Sequence, residues 1–270
     1  MGLHKQELDK FLSLGEQAVR LASQHLLDRW GHSNRVEQKE SHHSIVSEED
    51  LQSEEIIIEF LDRALPGHSF VSEERGQISR HDELTWVIDP LDGSSYYVRG
   101  LQSFSVSLAL LHEWRPILGI VACPSNSELF TALQARGSYL NGRPIVVSSI
   151  GKLPDGILSF SHSFLRAPEY ANPRSQLVPS CRSIRGGGSC AQELCYIACG
   201  RTDGFVAPAQ SIWDFAAGAL VVEEAGGQFT DFAGEPPDYS ALPHKDFPVV
   251  ASNGLVHGRI LEPLSDCSRS

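Results

Sequence analysis

The sequence predicts an α/β (α+β) fold built in layers. Three features carry that prediction. Two amphipathic helical patterns open the chain, a run of short strand-like segments punctuated by glycine and proline follows, and the second half alternates strand-like with helical segments. No internal repeat interrupts this order.

From Gln6 to Trp30, Leu8, Phe11, Leu12, Leu14, Val19, Leu21 and Leu26 recur at mostly helical spacing, and Gly31 supplies the stop. The polar stretch His32 to Ser44 reads as a loop. Ser47 with Asp50 three residues later starts a second helix reaching Leu65, and Pro66-Gly67 ends it. Strand-like runs follow at Ser69–Ser72, Leu84–Asp89, Phe104–His112, Ile117–Ala122 and Leu129–Leu133, and Asn141-Gly142 makes a turn between Tyr139-Leu140 and Ile145–Val147. This part predicts a largely antiparallel sheet. Beyond it, Gly156–Ser161, Asp203–Val206 and Pro248–Ser252 are strand-like and Ser189–Cys199 and Trp213–Ala225 helical, with Asn253 placed to cap a last short helix.

The chain has 270 residues, of which 41% are hydrophobic and 21% charged, so it has material for a sizeable core and disorder is excluded as the default. No linker-like stretch separates modules. Two subdomains in one unit are expected, residues 1–150 and 151–270. Neither a secretory signal nor an apolar run long enough for a bilayer is readable, which points to a cytoplasmic protein without membrane partners. The six cysteines lack the density of a disulfide scaffold and read as reduced. A net charge of −12 excludes a nucleic-acid surface, which needs clustered cations. It suits a phosphate-binding protein only if some carboxylates hold divalent cations that reverse the local sign.

The segment Trp86-Val87-Ile88-Asp89-Pro90-Leu91-Asp92-Gly93-Ser94-Ser95 fits that condition. An apolar strand delivers Asp89, Pro90 directs the chain, and Asp92 follows, so two carboxylates and the Leu91 carbonyl can face one point as hard oxygen ligands. Gly93 permits close approach, while Ser94 and Ser95 offer hydroxyls and backbone N–H groups to a phosphate. A solvated turn is the competing reading. Glu73-Glu74 after Phe70-Val71 places another carboxylate at a strand end or forms an acidic loop. Asp214, opening a helix rich in small residues, is a ligand or a first-turn aspartate favoured by the helix dipole.

Together, Asp89-Pro90-Leu91-Asp92-Gly93-Ser94, Ser72-Glu73-Glu74 and Trp213-Asp214-Phe215-Ala216-Ala217-Gly218 resemble the inositol monophosphatase family. The likeness continues through Leu140-Asn141-Gly142-Arg143-Pro144, Gly200-Arg201-Thr202-Asp203-Gly204 and Glu224-Ala225-Gly226-Gly227. It implies a layered α-β-α-β-α sandwich of the inositol monophosphatase/sugar phosphatase type, a homodimer, and Mg²⁺-dependent hydrolysis of a small-molecule phosphate ester. Two or three Mg²⁺ ions are implied, with Glu73, Asp89 and the Leu91 carbonyl holding one, and Asp89, Asp92 and Asp214 another. Water is then the nucleophile, positioned or deprotonated by Ser94 and Glu73. Asp50 matches an aspartate that places water around an additional metal, or is simply the third residue of a capping box. Lys39 matches a basic residue near the entrance, or is a solvated lysine. Gly188, Ser189, Cys190 and Ala207 fall beside the organic part of the substrate, and Asp92, Gly93, Ser94 and Ser95 beside its phosphate.

Departures from the family pattern carry information. Ser94 keeps the hydroxyl of the usual threonine without its methyl, and Ser44 stands where the first motif often has aspartate. Tyr96-Tyr97 adds bulk beside the phosphate loop. Ala207 replaces a carboxylate that receives sugar hydroxyls in inositol-selective members, so strict inositol selectivity is not expected. A polyol or sugar monophosphate is the leading substrate class, with 3′-phosphoadenosine phosphate or histidinol phosphate as alternatives. A phosphatase-fold regulatory binding protein is the non-enzyme alternative. Cys190, Cys195 and Cys199 read as a packed helix face, His42-His43 as a solvated loop, and Trp86 and Trp213 as core residues. Arg185 to Ser189 is an anion cradle or a loop with an N-cap.

Overall fold

The computed structural model describes residues 4–31, 36–38, 45–80, 83–242, 245–265 and 267. Helix α1 (Lys5–Arg29) buries Phe11, Gly15, Ala18, Val19, Ala22 and Leu26; of the apolar residues expected to face the core, Phe11, Val19 and Leu26 are buried, Leu8, Leu12 and Leu14 are partly buried and Leu21 is exposed. Gly15 lets it lie close to the sheet below, since a Cβ there would sit 2.7 Å from Ile120 Cδ1. Strands β1 (Val36–Gln38) and β2 (Ile45–Ser47) pair antiparallel, so Val36–Gln38 is strand where a loop was expected. Lys39, His42-His43 and Ser44 lie outside the described residues. Helix α2 (Glu48–Ala64) starts at the expected capping box, where Ser47 N and Oγ both donate to Asp50 Oδ2, at 2.8 and 2.5 Å.

The first large sheet contains β3 (Ser69–Ser72), β4 (Gly76–Ile78), β5 (Leu84–Asp92), β6 (Ser105–His112), β7 (Arg115–Cys123), β8 (Glu128–Leu133), β9 (Ser138–Leu140) and β10 (Arg143–Ile145). A one-turn helix α3 (Ser94–Tyr97) stands between β5 and β6. Spatial order is β10-β9-β8-β7-β6-β5-β3-β4, and only the β3–β5 pair is parallel. The β9–β10 turn uses Asn141 and Gly142, both at positive φ, as the sequence requires. Val146 and Val147 fall outside the strand.

The second sheet is formed by β11 (Ile157–Phe160), β12 (Ser183–Gly186), β13 (Gly204–Gln210), β14 (Gln228–Thr230) and β15 (Phe247–Ser252), in the order β12-β11-β13-β15-β14. Helices α4 (His162–Arg166), α5 (Ala171–Ser180), α6 (Cys190–Ala198), α7 (Ile212–Glu224) and α8 (His257–Leu261) complete the chain. Asn253 accepts from Leu255 and Val256 N–H, so it caps the turn before α8 rather than the first helical residue.

Three apolar clusters identify five layers. One joins α1 and α2 to the eight-stranded sheet, a second packs α6 and α7 between the two sheets, and a third lies beneath α4, α5 and α8. Strand periodicity sorts the side chains: Trp86 and Ile88 enter the first cluster and Val87 the second, while Phe205 enters the second and Val206 the third. Helix α7 is apolar all round because sheet covers it on both sides. At Gly119 a Cβ would meet the Ala217 carbonyl at 2.6 Å, so glycine sets how closely α7 approaches β7. The fold is thus the α-β-α-β-α sandwich.

Candidate active site

Strand β5 continues through Pro90 to Asp92 instead of ending at Asp89. Opposite it on β6, Asp89 pairs with Ser107 and Asp92 with Ser105, so three steps on β5 match two on its partner. This is a bulge, and a proline that has no N–H for the ladder fits there. Its consequence is geometric. Residues three apart on a regular strand face opposite sides, whereas one inserted residue returns Asp89 and Asp92 to the same side. Leu91 N donates to Asp89 Oδ1 at 3.0 Å, and Ser53 Oγ of α2 donates to the Pro90 carbonyl at 2.8 Å, which holds the bulge from behind.

Gly93 has φ +92°, and a Cβ there would lie 2.6 Å from the Ser103 carbonyl and 3.1 Å from that of Gly188. Only glycine fits, and the contact brings the Gly186–Gly188 loop against the start of α3. Asp92 Oδ2 accepts from Ser189 Oγ at 2.7 Å and Ala191 N at 2.8 Å. Asp92 therefore fills the N-terminus of α6 with its own carboxylate, and Ser189 N-caps that helix, its Oγ accepting from Gln192 N. The anion cradle considered for Arg185–Ser189 is occupied by the protein itself.

Two further elements bring carboxylates to the same place. Glu73 follows β3, and its N–H donates to the Ile88 carbonyl at 3.3 Å. Glu54, fully buried on α2, fixes the turn by accepting from Glu74 N at 3.0 Å and Arg75 N at 3.2 Å. Asp214 is the third residue of a capping box on α7, with Oδ2 accepting from Ser211 N at 2.8 Å. Ser107 Oγ donates to the Trp213 carbonyl and so ties that helix to β6.

The electrostatics show how closely these groups stand. Burial, followed by repulsion from Glu73, Asp92 and Asp214, pushes the Asp89 carboxyl well above its ordinary range. Burial and then Asp92 and Glu73 do the same to Asp214, which also shares a hydrogen bond with Asp89. Asp92 is pushed up to about 6 by burial, although bonds from Ser189, Ala191 and Cys190 pull it back. Asp50 rises to about 7, through burial first and Glu73 and Glu74 last. It is thus both the helix cap and a near neighbour of the acidic cluster. Among the described residues, no three His, Cys, Asp or Glu side chains are already closed around one point. The donor set nonetheless fits a divalent cation: hard carboxylate oxygens from three elements repel one another and share protons, and a cation would favour their ionised forms.

Around this cluster, Gly188 and Ser94 are partly exposed and Ser95 is solvent-facing, while Ser189 and Cys190 are buried. Ala207 is fully buried in the middle apolar cluster and presents no surface to the site. Cys195 is buried in the same cluster and Cys199 packs against it, and all six cysteines are free. Trp86 is buried with Nε1 donating to His68 Nδ1 at 3.0 Å, and Trp213 packs on the middle cluster. Tyr97 belongs to the core, its hydroxyl donating to the Leu26 carbonyl, whereas Tyr96 stands beside Gly188. Sequence reading missed Glu54, Ser53 and Glu193. Ser53 and Glu54 bond to segments 20 to 37 residues away, and Glu193 to Ser159, 34 residues away, as well as to Arg185, so no local pattern marked them.

A model of the inositol monophosphatase family matches residues 7–269. The chain belongs to the inositol monophosphatase family. An inositol-1-monophosphatase from Synechocystis sp. is 32% identical over 263 residues, covering 96% of this chain and 90% of that protein. The Nus factor SuhB of Pasteurella multocida is 39% identical over 189 residues, covering 68% and 71%. Among solved structures, an IMPase from Thermotoga maritima superposes with a TM-score of 0.87 at 29% identity, covering 96% of this chain and 98% of that one. As a member of the inositol monophosphatase family, the chain is a phosphoric monoester hydrolase. The family is generally Mg²⁺-dependent and acts on small phosphate esters. Among the described residues, no helix is long and apolar enough to cross a membrane.

Proposed function

We propose that the chain is a Mg²⁺-dependent hydrolase of the phosphate monoester of a small polyol or sugar, with water as the attacking group and sites for two Mg²⁺ ions. The observation that carries this reading is the convergence of Asp89 and Asp92 on the β5 bulge with Glu73 after β3 and Asp214 on α7, close enough that Asp89 feels the charge of the other three, which a divalent cation would relieve. Glu73, Asp89, the Leu91 carbonyl, Asp92 and Asp214 would hold the metal, which when bound supplies Lewis acidity for the water and for charge on the leaving oxygen. Gly93, Ser94 and Ser95 receive the phosphate. The Ser94 hydroxyl orients the attacking water, and the Glu73 carboxylate takes its proton. No side chain acts as nucleophile, so no phosphoenzyme forms. Asp50 sits behind Glu73 and helps order water there. Homodimeric assembly accompanies this reading.

The similarity to an inositol-1-monophosphatase supports the polyol class. A second reading, a phosphatase-fold regulator that binds another macromolecule, is supported by the similarity to a Nus factor. Phosphate release from inositol 1-phosphate, fructose 1,6-bisphosphate, 3′-phosphoadenosine phosphate and histidinol phosphate, with Mg²⁺ or EDTA, separates the two. Turnover that needs Mg²⁺ is expected. Absence of turnover on every ester would favour the regulator.

A further inference from the structure

Tyr96 and His162 stand beside the acidic cluster without a part in the chemistry above. Tyr96 is the third residue of α3, just past Gly93, and His162 opens α4 after β11, so the pair joins the two sheets. Tyr96 Oη and His162 Nε2 are 3.2 Å apart, and the rings stack with centroids 5.8 Å apart at an angle of 24°. A Cβ at Gly188 would meet Tyr96 ring atoms at 2.7 and 2.8 Å, so the ring rests on bare backbone. That backbone in turn abuts Gly93. Gly93, Gly188, Tyr96 and His162 form one continuous wall leading away from Asp92, with Tyr96 partly and His162 largely exposed.

Two serines near that wall are already committed. Ser189 Oγ donates to Asp92, and Ser159 Oγ donates to the fully buried Glu193 at 2.5 Å. Glu193 also accepts from Arg185 Nη2 at 2.8 Å and lies where a side chain on Gly187 would go, so it pins the glycine loop in place. Cys190 and Ala207 are buried and offer no acceptor. A polyol is read by several hydrogen bonds to fixed acceptors, and a flat ring by an aromatic face. This wall has the second kind of surface.

We propose that Tyr96 and His162 are specificity-determining residues that contact the alcohol part of the ester and favour alcohols bearing an aromatic ring over saturated ones. The inference rests on the phosphomonoesterase reading and narrows its polyol or sugar class to alcohols that also bear an aromatic ring. Stacking between aromatic groups changes affinity by about two- to tenfold beyond simple area burial.

The test compares kcat/KM for 2-phenylethyl, 2-cyclohexylethyl and glycerol 1-phosphate in Mg²⁺, using the wild type, Tyr96→Phe, Tyr96→Asn and His162→Ala. All three esters release a primary alcohol, so the chemical step is similar and differences report on recognition. The wild type is expected to prefer the phenyl over the cyclohexyl ester. Tyr96→Asn should cut that preference by about three- to tenfold, mainly through KM, while Tyr96→Phe keeps most of it. His162 is exposed, so His162→Ala folds and should cut the preference by a smaller factor in the same direction. Turnover with an unmoved preference in both Tyr96→Asn and His162→Ala would overturn this inference alone. No turnover of any ester by the wild type would overturn it together with the reading beneath it.

Discussion

Replacing Asp92 by Asn separates electrostatic cost from function at one position. Asp92 is 9% exposed, and its carboxyl is pushed up to about 6 from an ordinary 3.8. A raised carboxylate binds its proton more tightly in the folded state, so stability is complete below about pH 4 and is lost as pH rises through 6. Roughly two pH units correspond to about 3 kcal/mol of folding energy at pH 8 without divalent ions. Asparagine removes that charge. It keeps one oxygen to accept from both Ser189 Oγ and Ala191 N, but puts an amide NH₂ where the second carboxylate oxygen stood, a mismatch of about 1–2 kcal/mol. The net gain of about 1–2 kcal/mol should raise Tm by roughly 2–8 °C in EDTA at pH 8. At pH 4.5 the difference should shrink. Mg²⁺ should raise the Tm of the wild type more than that of the variant, and phosphate release should fall by about a hundredfold or more, the scale of losing one charged group that stabilises the transition state. Calorimetry and a phosphate assay read all of this. A variant that melts below the wild type in EDTA at pH 8, or that gains as much from Mg²⁺, would refute the account of an acidic cluster awaiting a cation.

Glu54→Ala strips the Glu74 and Arg75 N–H groups of their buried acceptor and should cost roughly 2–4 kcal/mol in urea unfolding. Phosphate release at a temperature where the variant stays folded should drop about tenfold, because the turn carrying Glu73 loses its anchor; full activity would show that Glu54 does not position Glu73. His257 lies between Thr230 Oγ1 and Ser252 Oγ, each at 2.9 Å, and burial pushes it down to about 4. A depressed imidazole leaves its stability intact above its ordinary 6.5 and loses it as pH falls towards 4, by up to about 3 kcal/mol. Measured between pH 7 and pH 4.5, wild type should lose more stability than His257→Gln; equal slopes would contradict the assignment.

Patterns spanning a few residues were legible. The α1 stripe, the capping box of α2, the Asn141-Gly142 turn and the Cys190–Cys199 face all depend on neighbours within a turn or two, and each stands where its spacing puts it. Segments whose side chains do not alternate between water and core were not legible. Strand β12 is exposed along its whole length as a sheet edge, and α5 has a weak apolar stripe and an internal proline, so neither left a periodic trace. Strands β1 and β2 span three residues each, too short for a readable alternation.

The acidic motifs were readable as residue types, because a strand ending in carboxylates with glycine beyond it has few other uses. Their common orientation was not readable. A separation of three residues on a strand places Asp89 and Asp92 on opposite faces until a bulge, set by pairing with Ser105 and Ser107 on another strand, turns them together. Asp214 lies more than a hundred residues away and meets them only because Gly119 lets α7 approach β7 and Ser107 holds the start of that helix. The sequence by itself determined the local elements, the ionisable inventory and the family. Tertiary structure alone decided which carboxylates stand close enough to repel one another, which serine spends its hydroxyl on Asp92, and that Tyr96 rests on Gly188 and not in the core with Tyr97. Local structure follows from short-range torsional and capping preferences, whereas electrostatic coupling and van der Waals contact depend on distances that only long-range packing sets.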